Sequence, residues 1–209
     1  MLLIDQSIRD YTALLASSAP APGGGSAAAL TGALGIALTG MVGALTEGRG
    51  KYAEHARFVA ELLERAASIQ EALLDLVDED TVVFNKMSEA YKMPKADGEE
   101  KAARGEAIQT ALKACTATPY KMMELCLRGI ELTSDAVGRT NRNVASDLGV
   151  AAICLKAAAQ GAWLNVLINI GSLRDADFAS AYHEKGEAVI KKALPMADGV
   201  YEAVMGILK

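Results

Sequence analysis

A chain of 209 residues with 51% hydrophobic content can build one sizeable core and is short for two large domains. Its 21 Lys and Arg stand against 26 Asp and Glu, and a formal net charge of -5 argues against the broad basic face of a general nucleic-acid binder. Three scattered cysteines (Cys115, Cys126, Cys154) read as small buried hydrophobes, and the isolated His55 and His183 have no ligand neighbours, so no metal site is expected.

The N-terminus, MLLIDQSIRDY, lacks the basic region and apolar run of a signal peptide, which points to the cytoplasm. Ile4, Ile8, Tyr11, Leu14 and Leu15 recur at helical spacing and predict a short amphipathic helix from Ile4 to Ser17. The stretch from Pro20 to Thr46 then opens with prolines and three successive glycines and carries no charge before Glu47. It predicts a helix entered through a Gly-rich loop, with Ser26 capping the free amides of the first turn. Gly32, Gly35, Gly40 and Gly43 each lower helix propensity by roughly 1 kcal/mol relative to Ala, so this helix needs tertiary contacts and is expected to be central and fully buried. Its length would allow a membrane span, but its Ala, Gly and Thr content, the missing basic flank and the absence of a second convincing span set that reading aside. Gly23-x-Gly25-x-x-Ala28 matches the dinucleotide fingerprint by letter only: no strand precedes it, and no Lys-Ser or Lys-Thr pair follows to make a P-loop.

In EGRGKY, Gly48 and Gly50 end the helix, and Arg49 and Lys51 are placed as exposed cations near its C-terminal carbonyls. A long helix is predicted from about Ala53 to Tyr91, its stripe running through Ala66, Ile69, Leu73, Val77, Phe84, Met87 and Tyr91. Asp80 interrupts that stripe. A carboxylate there is costly unless paired, and a structural ion pair explains it as well as catalysis does. Asp75, Asp78 and Glu79 fall off the stripe and are expected in solvent. KMPKADGEE is the clear loop; a further helix follows from about Glu99, with Arg104 as an exposed helix residue, and Pro119 is expected to bend or break it. Asn141, Asn143, Ser146 and Asp147 cluster before a nearly charge-free helix, in which Asn165 and Asn169 lie one turn apart. Buried amides need partners, so a helix-to-helix hydrogen-bond network and a ligand site both remain open for them. A last amphipathic helix is predicted from about Asp175 to Leu208, with a kink at Pro195. No strand alternation appears, and the expected fold is a single all-α domain over residues 1–209: a bundle of five to seven helices around the Gly/Ala-rich helix. Polar residues on apolar helix faces suggest a homodimer or larger homo-oligomer.

Three of these segments carry a resemblance. PAPGGGSAAALTGALGIALTGMVGALT resembles the signature of the cyclodeaminase/cyclohydrolase family of folate enzymes, which includes the cyclodeaminase domain of formiminotransferase-cyclodeaminase and stand-alone methenyltetrahydrofolate cyclohydrolases. DEDTVVFNKMSEAYKMPK resembles the family's Asp-rich helix end followed by Leu-Pro-Lys, with Met93 in the Leu place. The order Asn, Ser-Asp, Asn-Val-x-Ile-Asn is similar to the run through Asn141, Ser146, Asp147, Asn165 and Asn169.

The resemblance implies opening or closing of the bridge between N5 and N10 of a tetrahydrofolate, without metal or other cofactor. It marks Asp80 and Asp147 as base and cation stabiliser in either order, and Lys95 as an aid to proton transfer or a holder of a substrate anion. Ser26, Asn165 and Asn169 would orient pterin or water, and the amides of Gly23, Gly24 and Gly25 would approach the ligand. Asn141 and Ser146 join the substrate-binding set, and Arg49 and Lys51 would meet an anionic substrate tail. The chain lacks a formiminotransferase segment, and LLASSAPAPGGG is most similar to the stand-alone cyclohydrolases. Ammonia-releasing ring closure, or a helical folate-binding scaffold without chemistry, are the alternatives.

Overall fold

Six α-helices carry the chain in the computed structural model, which describes residues 2–209: α1 (Ile8–Leu15), α2 (Gly24–Ala44), α3 (Ala56–Lys92), α4 (Gly98–Ala136), α5 (Ala145–Ile170) and α6 (Ala176–Leu208). Single 3₁₀ segments precede α1, α3 and α5, and there is no strand among the described residues. The all-α bundle expected from the sequence is the fold observed.

Helix α2 lies between α3 and α5, and α4 crosses behind it; α4 and α5 then pack on α6. Small residues make this closeness possible. A Cβ on Gly35 would stand 3.0 Å from the Ala151 carbonyl of α5, so only glycine lets the two backbones approach. The hydroxyls of Thr39 and Thr133 pair at 2.7 Å in the dry interior between α2 and α4. Around them Ile36, Leu62, Leu73, Met122, Ile130 and Leu155 are fully buried.

Three expectations need correction. First, α2 is central but not fully buried. Leu34, Met41 and Leu45 are exposed, because no helix among the described residues covers that side. Second, Pro119 does not break its helix: α4 runs continuously through it, as α6 does through Pro195. Third, Asp78 is not simply solvated: its Oδ1 accepts the Leu3 amide at 2.7 Å and so ties the N-terminus to α3. Glu79 likewise accepts from Thr118 and pairs with Lys121 at 3.2 Å.

α2 and α5 are both long and apolar enough to cross a membrane by length and composition. In the bundle, half of the α2 window and 39% of the α5 window is buried against other helices.

Candidate active site

The start of α2 meets the middle of α3 and the end of α5 around a cavity of about 330 Å³, at the small end of the range for small-molecule sites. Asp80 supplies its only carboxylate. One wall is Phe84, Met87 and Tyr91, the C-terminal continuation of the α3 stripe; Ile168 of α5 and Cys115 of α4 stand among its other walls. The Gly23–Gly25 backbone forms the rim, and Asn165 and Asn169 face in from α5.

Asp80 is held by the helix it faces. Its Oδ2 accepts the backbone N–H of Ser26 at 3.0 Å, one of the amides that the first turn of α2 leaves without an intrahelical partner. The capping expected of Ser26 is therefore done by Asp80. Gly23 stands at the N-cap position without a side chain, and the Ser26 hydroxyl pairs with the Tyr11 hydroxyl at 3.2 Å. Gly25 makes the approach possible: a Cβ there would lie 2.6 Å from Asp80 Oδ2 and closer still to Oδ1.

Among the described residues no cation pairs with Asp80, which removes the structural ion pair as its explanation. Burial pushes its carboxyl above the ordinary range, and the Ser26 amide only partly offsets this. A desolvated carboxylate with one hydrogen bond and an open cavity before it is suited to proton transfer. The neighbouring Cys115 thiol is pushed up to about 11, by burial first and by the charge of Asp80 second, so it stays protonated near neutrality.

The two asparagines play different parts. Asn165 donates to the carbonyl of Gly161 within α5 at 2.9 Å. Asn169 donates both to the Asn165 carbonyl, at 2.8 Å, and across to the Cys115 carbonyl of α4, at 2.7 Å. Both amides are thus anchored through nitrogen, in keeping with the network reading, while both residues line the cavity.

The other expected residues lie elsewhere. Lys95 is exposed in the α3–α4 loop and does not line the cavity. Asn141, Ser146, Asp147, Arg49 and Lys51 gather at the opposite end of the bundle, where α2 ends and α5 begins. Asp147 in the first turn of α5 is 18 residues from Asn165, about 27 Å along the helix at 1.5 Å per residue. Within one chain Asp147 therefore does not share a cavity with Asp80. Asn141 is spent on structure: its amide donates to the Leu45 carbonyl at 3.2 Å, its backbone N–H to Thr46 Oγ1 at 2.9 Å, and its Oδ1 accepts from the Asn143 N–H. Arg104 caps the end of α3 through the Tyr91 carbonyl, at 3.0 Å from Nη2.

Sequence reasoning misses Tyr11, Cys115 and the cavity wall on α3. It places Phe84, Met87 and Tyr91 on a core-facing stripe, and helical periodicity reads the same for a core and for the wall of a pocket.

The geometry defines a class: an all-helical protein whose cavity sets one desolvated carboxylate against the amino end of a glycine-rich helix. The chain belongs to the Formiminotransferase-cyclodeaminase family, which residues 7–188 match. It is 38% identical over 200 residues to the methenyltetrahydrofolate cyclohydrolase of Methylorubrum extorquens, covering 96% of both chains. It is 33% identical to the mouse formimidoyltransferase-cyclodeaminase over 93% of this chain and 36% of that one. The crystal structure of formiminotetrahydrofolate cyclodeaminase from Thermotoga maritima superposes with a TM-score of 0.88 at 25% identity, over 98% of each chain.

Proposed function

We propose that this chain is an enzyme of folate one-carbon metabolism that hydrolyses 5,10-methenyltetrahydrofolate to 10-formyltetrahydrofolate, with Asp80 as general base. The observation that carries the reading is the unpaired, desolvated Asp80 carboxylate in the cavity of a chain whose 38% identity to a cyclohydrolase extends over 96% of both proteins.

The chemistry asks little of the protein beyond position and charge. The methenyl carbon between N5 and N10 is part of a delocalised cation and is electrophilic as bound. A water held before Asp80 attacks that carbon while its proton passes to the carboxylate, giving a neutral hydroxyl adduct. The adduct then loses its hydroxyl proton and forms the formyl C=O, and the C–N5 bond breaks with a proton delivered to N5. One proton is released overall. Asp80 accepts the first and is placed to return one to N5. As a carboxylate beside a cationic substrate, it also stabilises the bound charge. Phe84 and Tyr91 offer aromatic faces to a flat pterin, and the anchored Asn165 and Asn169 present their amide oxygens to it. No cofactor takes part.

The structural likeness to a formiminotetrahydrofolate cyclodeaminase supports ring closure with ammonia release as a second reading. Purified protein mixed separately with methenyl- and formiminotetrahydrofolate separates the two. The expected result is loss of the methenyl absorbance above the buffer rate, unchanged by a strong chelator, with little ammonia from the formimino substrate. Ammonia release as the faster reaction would install the second reading. Failure of both substrates at high protein concentration would leave a folate-binding scaffold.

A further inference from the structure

We propose that the N-terminal arm, Leu3 to Leu15, is a brace for the Asp80 carboxylate, with Tyr11 and Asp78 as positioning residues that keep the Ser26 amide against it. The brace deepens the folate reading, in which Asp80 is the base, and its effect on turnover rests on that reading.

The first observation is where the arm is tied down. Among the described residues, segment 2–19 makes three hydrogen bonds beyond itself. Asp78 accepts the Leu3 N–H on Oδ1 at 2.7 Å and the Ile4 N–H on Oδ2 at 3.4 Å. The Tyr11 hydroxyl pairs with the Ser26 hydroxyl at 3.2 Å. One anchor thus lies two residues from Asp80 on α3. The other is the residue of α2 whose N–H Asp80 accepts at 3.0 Å. The arm therefore ties α2 to α3 on either side of the bond that holds the carboxylate.

The second observation is that the arm has little else to hold it. Tyr11 is the one buried residue of α1, and a helix of eight residues is marginal alone. Ile8 is 85% exposed, and a gap of about 140 Å³ remains under the arm, lined by Leu3, Ile8, Leu30 and Val77 among others. The Tyr11 and Ser26 side chains are both buried, so neither hydroxyl can replace the other with water without cost. Loss of an anchor leaves α3 and the first turn of α2 free to part slightly, and catalysis is sensitive to displacements of about 1 Å.

The consequence for Asp80 has a definite sign. Burial raises its proton affinity and the Ser26 amide lowers it, so a slackened amide raises it further. The titratable groups around Asp80 are Tyr11 of α1, Cys115 of α4 and Asp78 of α3; Glu79 is turned to Lys121, and the cavity walls of α2 and α5 carry none. Burial holds Tyr11 and Cys115 above their ordinary ranges, so both stay protonated near neutrality. Asp78 is then the neighbouring charge to control for.

The test uses full-length chains with carbon-13 in the aspartate carboxyl groups, the Asp80 signal being assigned through Asp80→Asn. Tyr11→Phe removes one buried oxygen and keeps the ring. Its Asp80 titration should move up by about half a pH unit, and kcat should fall about three- to tenfold with its acid limb moving the same way. Should Tyr11→Phe fail to fold, Ser26→Ala breaks the same pair, keeps the backbone N–H and carries the same expectation. Asp78→Ala loses both the charge and the Leu3 anchor, whereas Asp78→Asn loses the charge and keeps an acceptor. Asp78→Ala should therefore titrate Asp80 higher, and turn over more slowly, than Asp78→Asn. Unchanged titration and turnover in Tyr11→Phe, even with earlier melting, would overturn the brace and leave the arm a cover. Equal behaviour of the two Asp78 variants would overturn the part given to Asp78. Wild-type protein inactive on both folates, with the titration shifts as expected, would fault the folate reading and leave the brace standing.

Discussion

The side-chain amide of Asn169 makes the hydrogen bond that Pro119 cannot. Proline has no backbone N–H, so in α4 the carbonyl four residues back, that of Cys115, loses its helical donor. Asn169 reaches across from α5 and donates to that carbonyl at 2.7 Å. This joins α4 to α5 beside the cavity and fixes the orientation of an amide that lines it.

Asn169→Ala should therefore do two things. It strands a carbonyl beside buried Cys115, at a cost of about 1–3 kcal/mol in thermal or denaturant unfolding, and it lowers turnover. Adding Pro119→Ala returns a backbone donor to the same carbonyl, so the double variant should recover most of the stability while turnover stays low. A double-mutant cycle read by melting and by rate checks this. Recovery of turnover along with stability would make Asn169 a structural residue only.

Gly25→Ala should disable the site while sparing the fold. Its methyl group would overlap the Asp80 carboxylate, and a side chain on α3 yields more easily than the packed start of α2. With Asp80, the proposed base, displaced, kcat should fall about 100-fold or more, with a melting shift of a few degrees. Normal turnover in a well-folded Gly25→Ala protein would show that the position of Asp80 is unimportant.

Much of this was legible in the sequence because helices announce themselves locally. The charge-free stretch after Gly23, the α3 stripe and the break in it at Asp80 are matters of spacing, and each led to the right element. Two things were hidden. What receives the carboxylate of Asp80 depends on a backbone amide 54 residues away, and the first turn of every helix offers such amides. The distance of Asp147 from Asp80 was hidden for a different reason. A motif list collects residues without saying which end of a helix each occupies, and α5 carries Asp147 and Asn165 at opposite ends. That α4 continues past Pro119 was hidden too, because the carbonyl that proline leaves without a donor finds one 54 residues away, on Asn169.

Phe84→Ala tests the aromatic wall. Phe84 lines the cavity; if, as proposed, its ring holds the pterin equally before and during reaction, its loss should raise KM several-fold with a smaller change in kcat, the signature of lost uniform binding. Steady-state kinetics on methenyltetrahydrofolate measures it. A fall in kcat at constant KM would give Phe84 a part in positioning water or pterin during reaction.

Asp80→Asn joins catalysis, pH and stability in one side chain. As base, Asp80 works deprotonated, so kcat in the wild-type enzyme should fall as pH drops through its folded pKa, which burial holds above the ordinary carboxylate range. The amide keeps the shape and an oxygen for the Ser26 N–H but takes no proton; turnover should fall about 100- to 10,000-fold and lose that acid limb. Stability should move the other way. The folded state binds the Asp80 proton more tightly than the unfolded chain does, so its favourable contribution is complete below the unfolded pKa and is lost as pH rises through the folded pKa. Near neutrality the wild-type chain holds a desolvated charge that the amide variant lacks, so Asp80→Asn should melt no earlier, its advantage shrinking on acidification. Melting curves and kcat profiles between the ordinary carboxylate range and neutrality measure both. A variant that melts much earlier yet turns over normally would make Asp80 the helix cap of α2 and nothing more.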